Sequence, residues 1–147
     1  MNEALRYAFR LLKFRPRSEY ELHQRLKRRG FSESLIKEAT LFLKEKGLVN
    51  DLEFARVWVE SRIKKPLGIN RLRQELKIKG IDKELISKVI DNISIRYRED
   101  ETVRDLTYRR WERLKHIPPH KAKQRIYLYL LRRGFSSNMI REVINQL

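Results

Sequence analysis

The sequence predicts an all-α protein that consists of three tandem three-helix repeats and forms an elongated, curved body. The first observation is a repeat centred on glycine, because Gly30, Gly80 and Gly134 lie 50 and 54 residues apart in matching surroundings. The second is the spacing of apolar residues, which occur at offsets −8, −4, +5, +6, +9 and +13 from each glycine. This spacing follows one face of an amphipathic helix and not the alternation of a strand.

Two helices of each repeat flank the glycine. Leu or Ile stands eight and four residues before it, and the glycine is predicted to end this helix in a left-handed conformation. An apolar residue and a helix-capping Ser or Asp follow, which predicts a second helix directly after the turn. These two-residue steps are Phe31-Ser32, Ile81-Asp82 and Phe135-Ser136.

The third helix of each repeat precedes this pair. Amphipathic stretches predict the leading helices over residues 2–15, 51–64 and 100–115. The breaks between leading helix and pair contain the prolines, which are unfavourable inside a helix: Pro16, Pro66, Pro118 and Pro119. Ser18 with Glu21 predicts a capping box at the start of the first pair, and Asn50 with Glu53 predicts a similar cap for the second leading helix.

The repeats divide the chain into three units, residues 1–48, 49–97 and 98–147. A unit of this size buries too little apolar surface to be more than marginally stable alone. We therefore expect the units to stack and share hydrophobic faces, as the repeats of solenoid proteins do.

The charge of the chain predicts an anionic partner. Its 147 residues include 35 Lys and Arg against 19 Asp and Glu, a net charge of +16. The three units contain 12, 11 and 12 basic residues against 6, 7 and 6 acidic ones, so the excess is spread over the whole chain. An evenly basic folded body is typical of proteins that bind nucleic acid or a protein assembled on it. No segment sets a strongly apolar face opposite a lysine face, so binding to a membrane surface is not expected.

The residues give no support to an enzyme, a cofactor or a metal site. Cysteine is absent, and Pro118 and Pro119 interrupt the i, i+4 spacing of His116 and His120. No glycine-rich phosphate loop or serine motif occurs. The acidic run Glu99-Asp100-Glu101 fits the N-terminal dipole of the third leading helix. No apolar run is long enough to span a bilayer or form a secretory signal, so an intracellular protein is expected.

Basic clusters near the repeat glycines are the candidate contact residues. They are Arg25, Lys27, Arg28, Arg29, Arg71, Arg73, Lys77, Lys79, Arg132 and Arg133. The helix dipole alone favours a cation in a last turn by about 0.3–1 kcal/mol, so solvated helix ends remain the alternative. The pairs resemble helix–turn–helix units, but their second helices are poor in the side chains that read base edges. We therefore expect phosphate contacts without sequence preference.

Three segments resemble the hallmark blocks of the RecX family of regulatory proteins. Arg15 to Leu22 matches the Arg-Pro-x-Ser-Glu-x-Glu-Leu opening. Asp51, Ala55 and Arg62 match the helix that follows. The third block is matched by Gly68, Leu72, Glu75, Leu76, Lys79 and Gly80. The third repeat is weaker in these motifs but fits the three-repeat plan of the family.

The resemblance implies a cytoplasmic bacterial modulator of the RecA recombinase, with a role in DNA repair, recombination and the SOS response. Such a protein binds in the groove of the RecA–DNA filament and inhibits the ATPase, strand-exchange and coprotease activities of RecA. The resemblance also implies binding of DNA, and with the phosphate contacts expected above we predict sequence-independent binding of single-stranded and double-stranded DNA. We expect a monomer. The alternative is a nucleic-acid-binding helical repeat module that acts without RecA.

Overall fold

The computed structural model describes residues 2–147, which form nine α-helices and no β-strand. In chain order these are α1 (Glu3–Phe14), α2 (Glu19–Arg28), α3 (Glu33–Glu45), α4 (Asp51–Arg62), α5 (Ile69–Ile78), α6 (Lys83–Ser94), α7 (Glu99–Arg113), α8 (Pro119–Arg132) and α9 (Ser137–Asn145). The predicted all-α class and the order of three helices per repeat are confirmed. The elongated, curved shape stays a prediction.

The predicted caps form at the helix starts. Ser18 Oγ accepts a hydrogen bond from the Glu21 amide at 3.1 Å, and the Glu21 carboxylate accepts one from the Ser18 amide at 3.3 Å. Asn50 Oδ1 accepts from the Glu53 amide at 3.1 Å. The capping box and the asparagine cap are therefore confirmed. They satisfy amides that have no partner inside the helix.

Each pair turns at its glycine in the same way. Gly30, Gly80 and Gly134 have φ of 94°, 76° and 95°, the left-handed region that favours glycine. The amide of the next residue donates to the carbonyl five residues back, at 3.3, 3.0 and 3.2 Å in the three repeats. These are Schellman motifs, which supply partners to carbonyls at the end of a helix. The predicted left-handed caps are confirmed.

One proline differs from its predicted position. Pro118 precedes α8, but Pro119 is the first residue of that helix and does not lie in the break. Proline is favoured there because the amide that it lacks has no intrahelical partner in the first turn, and its fixed φ already suits a helix.

The chain forms two compact units, which divide the middle repeat between them. One unit consists of the chain up to Trp58 with Leu76–Val89, and the other of Val59–Glu75 with Ile90–Leu147. The core of the first unit includes Leu22, Leu26, Ile36 and Leu43, all at most 1% exposed. In the second unit, Ile126, Leu130, Phe135 and Ile140 are equally buried. The boundaries of the three predicted repeats stay a prediction.

Candidate functional site

The ten predicted contact residues lie on α2, α5 and α8 or at the residue that follows each helix. Eight of them occupy last turns or the next position, and Arg71 and Arg73 lie earlier on α5. Their surroundings differ although their repeat positions correspond.

Lys79 forms its contacts inside the first unit. Its Nζ lies 3.1 Å from Glu21 Oε2 and 4.7 Å from the centre of the Trp58 ring. Only 21% of its side chain is exposed. The same carboxylate also binds Arg15 Nη2 at 2.6 Å. Because its charge is already paired in a largely buried place, Lys79 contributes mainly to the fold.

Glu21 is the centre of this ion cluster. Burial raises the pKa of its carboxyl, but hydrogen bonds from Arg15, Lys79 and the Ser18 amide outweigh burial and lower the pKa to about 2. The carboxylate is therefore ionised at any physiological pH. It holds two cations and one helix start in place.

The end of α5 also meets the start of α2 through the backbone. Ser18 Oγ donates a hydrogen bond to the Lys79 carbonyl at 2.6 Å. Gly80 lies directly against Tyr20, since a Cβ on this glycine would be 2.2 Å from the Tyr20 Cβ. We call this contact the first junction. Position 80 needs a glycine for this close packing as well as for its positive φ.

A second junction, inside the other unit, joins the end of α8 to the start of α5. The Gly68 amide donates to the Arg133 carbonyl at 2.8 Å, and the Asn70 amide donates to the Gly134 carbonyl at 3.1 Å. A Cβ on Gly68 would lie 2.2 Å from the Gly134 carbonyl carbon. The two junctions use corresponding parts of neighbouring repeats, as repetition of one interface between repeats predicts.

Two more of the predicted cations belong to the second junction. Arg71 Nη1 donates to the Arg132 carbonyl at 3.1 Å, and its Nε lies 3.2 Å from Glu75. The Glu75 carboxylate also accepts two hydrogen bonds from the Arg62 guanidinium, at 2.9 and 2.8 Å. Arg133 Nε donates to the Pro66 carbonyl at 3.2 Å. These guanidinium groups therefore form intramolecular contacts, which the local sequence does not predict.

Carboxylates of the next leading helix complete both junctions. Asp51 Oδ1 accepts from the Glu19 amide at 2.9 Å, and Glu99 Oε2 accepts from the Ile69 amide at 2.6 Å. Burial raises the pKa of both carboxyl groups above the ordinary value. Glu99 therefore caps α5 of the preceding repeat as well as standing at the start of its own helix. The sequence interpretation assigned it the second role alone.

Most of the remaining predicted cations are exposed to solvent, and two of them contact a carboxylate or an aromatic ring. Within residues 2–147, no ion pair involves Arg25, Arg28, Lys77 or Arg132, and all four are exposed. Lys27 lies 3.8 Å from Glu33, and the Arg29 guanidinium lies 5.0 Å from the centre of the Tyr7 ring. Arg73 is half-buried. The exposed cations are the part of the predicted set that is available to an anion.

The structure adds a basic stripe on α8 that the sequence interpretation missed. Lys121, Arg125, Leu128 and Arg132 are exposed on α8 and lie within about 60° of one another around its axis, at 100° per residue. We call them the α8 stripe. Its three cations form no ion pair among the described residues. A signal was present, because the 29 residues from 113 to 141 contain eight Lys and Arg but no Asp or Glu.

Tyr129, on another face of α8, holds two arginines. The Arg110 guanidinium lies 3.7 Å from the centre of its ring, and that of Arg133 lies 5.8 Å from it. Such contacts are favourable because the face of an aromatic ring attracts cations. They keep two positive charges on the second unit in defined positions.

The described residues form neither a metal site nor a membrane-spanning helix. No group of three or more His, Asp or Glu within residues 2–147 could hold a metal ion. Over the same range, each helix is too short or too polar to cross a membrane.

Comparison with known proteins identifies all three repeats. The first, second and third three-helix domains of RecX match residues 4–43, 50–90 and 98–144, in that order. The chain is 34% identical over 143 residues to the regulatory protein RecX of Caldanaerobacter subterraneus, a match that covers 97% of this chain and 70% of that protein. It is 31% identical over 144 residues to the regulatory protein RecX of Haemophilus influenzae strain PittEE, covering 97% and 93%.

A solved structure supports the same fold. The crystal structure of RecX from Lactobacillus salivarius matches with a TM-score of 0.84 and 23% identity, over 99% of this chain and 94% of that one. With its three repeats matched in order, and relatives matched over nearly its whole length, the chain belongs to the RecX family of regulatory proteins.

Proposed function

We propose that this protein acts in the cytoplasm, binds the RecA–DNA filament in its groove, and inhibits the ATPase, strand-exchange and coprotease activities of RecA. The observation that carries the proposal is the match of three RecX domains over almost the whole chain. A regulator of this kind needs a binding surface and no catalytic group. The exposed cations and the net charge of +16 are consistent with an anionic nucleoprotein partner.

The phosphate contacts of this function are assigned to two basic surfaces. One is the end of α2, where Arg25 and Arg28 are exposed and form no ion pair among the described residues. The other is the α8 stripe. Contacts at more than one repeat would raise the effective concentration of each further contact without requiring strong individual ones. Cations on helix surfaces bind backbone phosphates without reading sequence, so single-stranded and double-stranded DNA are both expected ligands.

A second candidate is a nucleic-acid-binding repeat module that acts without RecA. The α8 stripe favours it, since three exposed cations beside Leu128 need no protein partner to bind phosphate. The two functions differ in the inhibition of RecA. Binding to bare DNA is expected from both.

The decisive experiment measures the DNA-dependent ATPase of RecA on single-stranded DNA while this protein is added at fixed salt. We expect suppression at substoichiometric amounts, since three repeats would let one molecule span neighbouring filament subunits. Strand exchange should fall in parallel. Unchanged rates at a several-fold excess over RecA would reject the filament modulator and leave the nucleic-acid module, which the affinity for bare DNA tests separately.

A further inference from the structure

A groove of about 840 Å³ lies between α2 and α3 in the first unit. Ile36 and Thr40 line its buried part, and Tyr20 and Leu41 line its exposed part. We call it the α2–α3 groove. It contains none of the ten predicted contact residues and lies apart from the α8 stripe in sequence. Its volume is within the usual range of about 300–1,000 Å³ for ligand sites.

A buried hydroxyl in this groove has no partner. Thr40 is 7% exposed, and its Oγ1 forms no hydrogen bond within the described part of the chain. Buried polar atoms of folded proteins are nearly always hydrogen-bonded, because an unmade bond leaves them without compensation for lost water. A group that enters the groove could supply this bond.

Two apolar side chains of the groove are exposed on its rim. Tyr20 is 48% exposed and Leu41 is 57% exposed, on facing helices. Single exposed apolar side chains are ordinary, but two that line one groove above a buried floor form a place for another apolar group. The contact that would cover them is not made within the first unit.

The charge of the groove is opposite to that of the protein. Four carboxylates line it, those of Glu19, Glu33, Asp51 and Asp82, against two lysines. One of the two lysines, Lys44, already forms an ion pair with Glu19, with its Nζ 3.3 Å from that carboxylate. Glu33 lies 2.9 Å from His23 Nε2. The excess of carboxylates over lysines in the groove disfavours a phosphate chain and favours a segment with Lys or Arg.

We propose that the α2–α3 groove binds an amphipathic, basic segment of a partner protein. A leucine-sized side chain of the segment lies between Tyr20 and Leu41, a hydrogen-bonding group reaches Thr40 Oγ1, and Lys or Arg side chains lie over the carboxylates. This is the mode in which an amphipathic helix places its apolar face in a groove. The site adds a protein contact to the phosphate contacts above, and it does not depend on the identity of the filament protein.

The test is an NMR titration of the labelled full-length protein with a synthetic amphipathic peptide of Leu and Lys. A second peptide with every Lys replaced by Glu is the charge control. We expect the basic peptide to shift amides of α2 and α3 around Tyr20, Thr40 and Leu41, and the acidic peptide to leave them in place. No shift of these amides at millimolar peptide, or equal shifts with both peptides, overturns the proposal.

Three variants show whether the groove itself binds. Leu41→Arg should weaken peptide binding by about tenfold, since it fills the groove and adds a positive charge. Thr40→Val should weaken it by about fivefold without lowering thermal stability, because the native hydroxyl has no internal partner. Val57→Arg is the matched control, at 50% exposure outside the groove, and should have no effect. Equal affinity of Leu41→Arg and Val57→Arg would overturn the proposal.

A second copy of this chain is the competing occupant. Concentration-dependent association of the protein alone, abolished by Leu41→Arg, would assign the groove to that copy and overturn the proposal. The titration contains neither RecA nor DNA. A failure of RecA inhibition therefore leaves its outcome unchanged, and the two proposals fail separately.

Discussion

The ends of α2 and α5 occupy the same position in neighbouring repeats, but their surroundings are opposite. At the end of α2, Arg25 and Arg28 are exposed, and a Cβ built on Gly30 meets nothing within 4 Å. At the end of α5, Lys79 is paired with Glu21 and Gly80 lies against Tyr20. Both belong to the first unit, so the comparison is direct. A repeat position therefore sets the local conformation, whereas the neighbouring repeat decides whether a cation is available to a partner.

The largest expected effect distinguishes the two glycines. Gly80→Ala should lower the free energy of unfolding by about 3 kcal/mol or more, because left-handed strain of about 1–2 kcal/mol adds to an overlap with Tyr20. Gly30→Ala has the same strain and no overlap, so it should lose only about 1–2 kcal/mol. Urea unfolding of both variants measures the difference. Equal losses would show that the first junction does not pack as described.

The structure also shows which parts of this comparison a sequence can predict. The helices, the capping box of Ser18 and the left-handed conformation of the three repeat glycines depend on residues within a few positions of one another, and the sequence predicts them. Gly47, which also has a positive φ of 71°, lies outside the repeat pattern and is not among these predictions. The pairing of Lys79 with Glu21 joins residues 58 positions apart, and the hydrogen bond from Arg71 to Arg132 spans 61. Local periodicity contains no information about such contacts.

The same reasoning explains why α8 was underestimated. Proximity to Gly134 predicts only Arg132 and Arg133 as contact residues of this helix. The stripe is instead defined by missing carboxylates, since no Asp or Glu occurs between Glu112 and Glu142. Where an acidic residue is near, as Glu75 is to Arg71, the cation forms an intramolecular ion pair instead. The local balance of charge is thus a better guide to an exposed basic surface than repeat position.

The second expected effect concerns the pH dependence of the first junction. The pKa of Glu21 is lowered from 4.5 to about 2 in the folded protein. A lowered pKa stabilises the fold above about pH 4.5, and this contribution of about 3 kcal/mol is lost as the pH falls toward 2. The unfolding free energies of the wild type and Glu21→Gln should therefore converge over that range. A difference that stays constant with pH would contradict the lowered pKa.

Glu33→Gln is the matched control for this measurement. Its carboxyl pKa is also lowered, by a hydrogen bond with His23, but the side chain is 65% exposed. Solvent screens an exposed pair, so its removal should change the pH profile little. The carboxyl pKa values of the half-buried Asp51 and Glu99 are raised instead of lowered, and these two groups act equally in the wild type and in both variants.

The smallest expected effect compares the cations of the two helix ends directly. Arg25→Ala with Arg28→Ala should lower the free energy of unfolding by no more than about 1 kcal/mol, because exposed side chains without partners contribute little to the fold beyond their interaction with the helix dipole. If both bind phosphate, the log–log salt dependence of binding to single-stranded DNA should become shallower by about 1.4, at about 0.7 per contact. Lys79→Ala should do the reverse. It should lower stability by about 1–2 kcal/mol by removing a partner of Glu21, and it should leave the salt dependence unchanged. A shallower slope with Lys79→Ala alone would mean that the tied end, and not the exposed one, meets the nucleic acid.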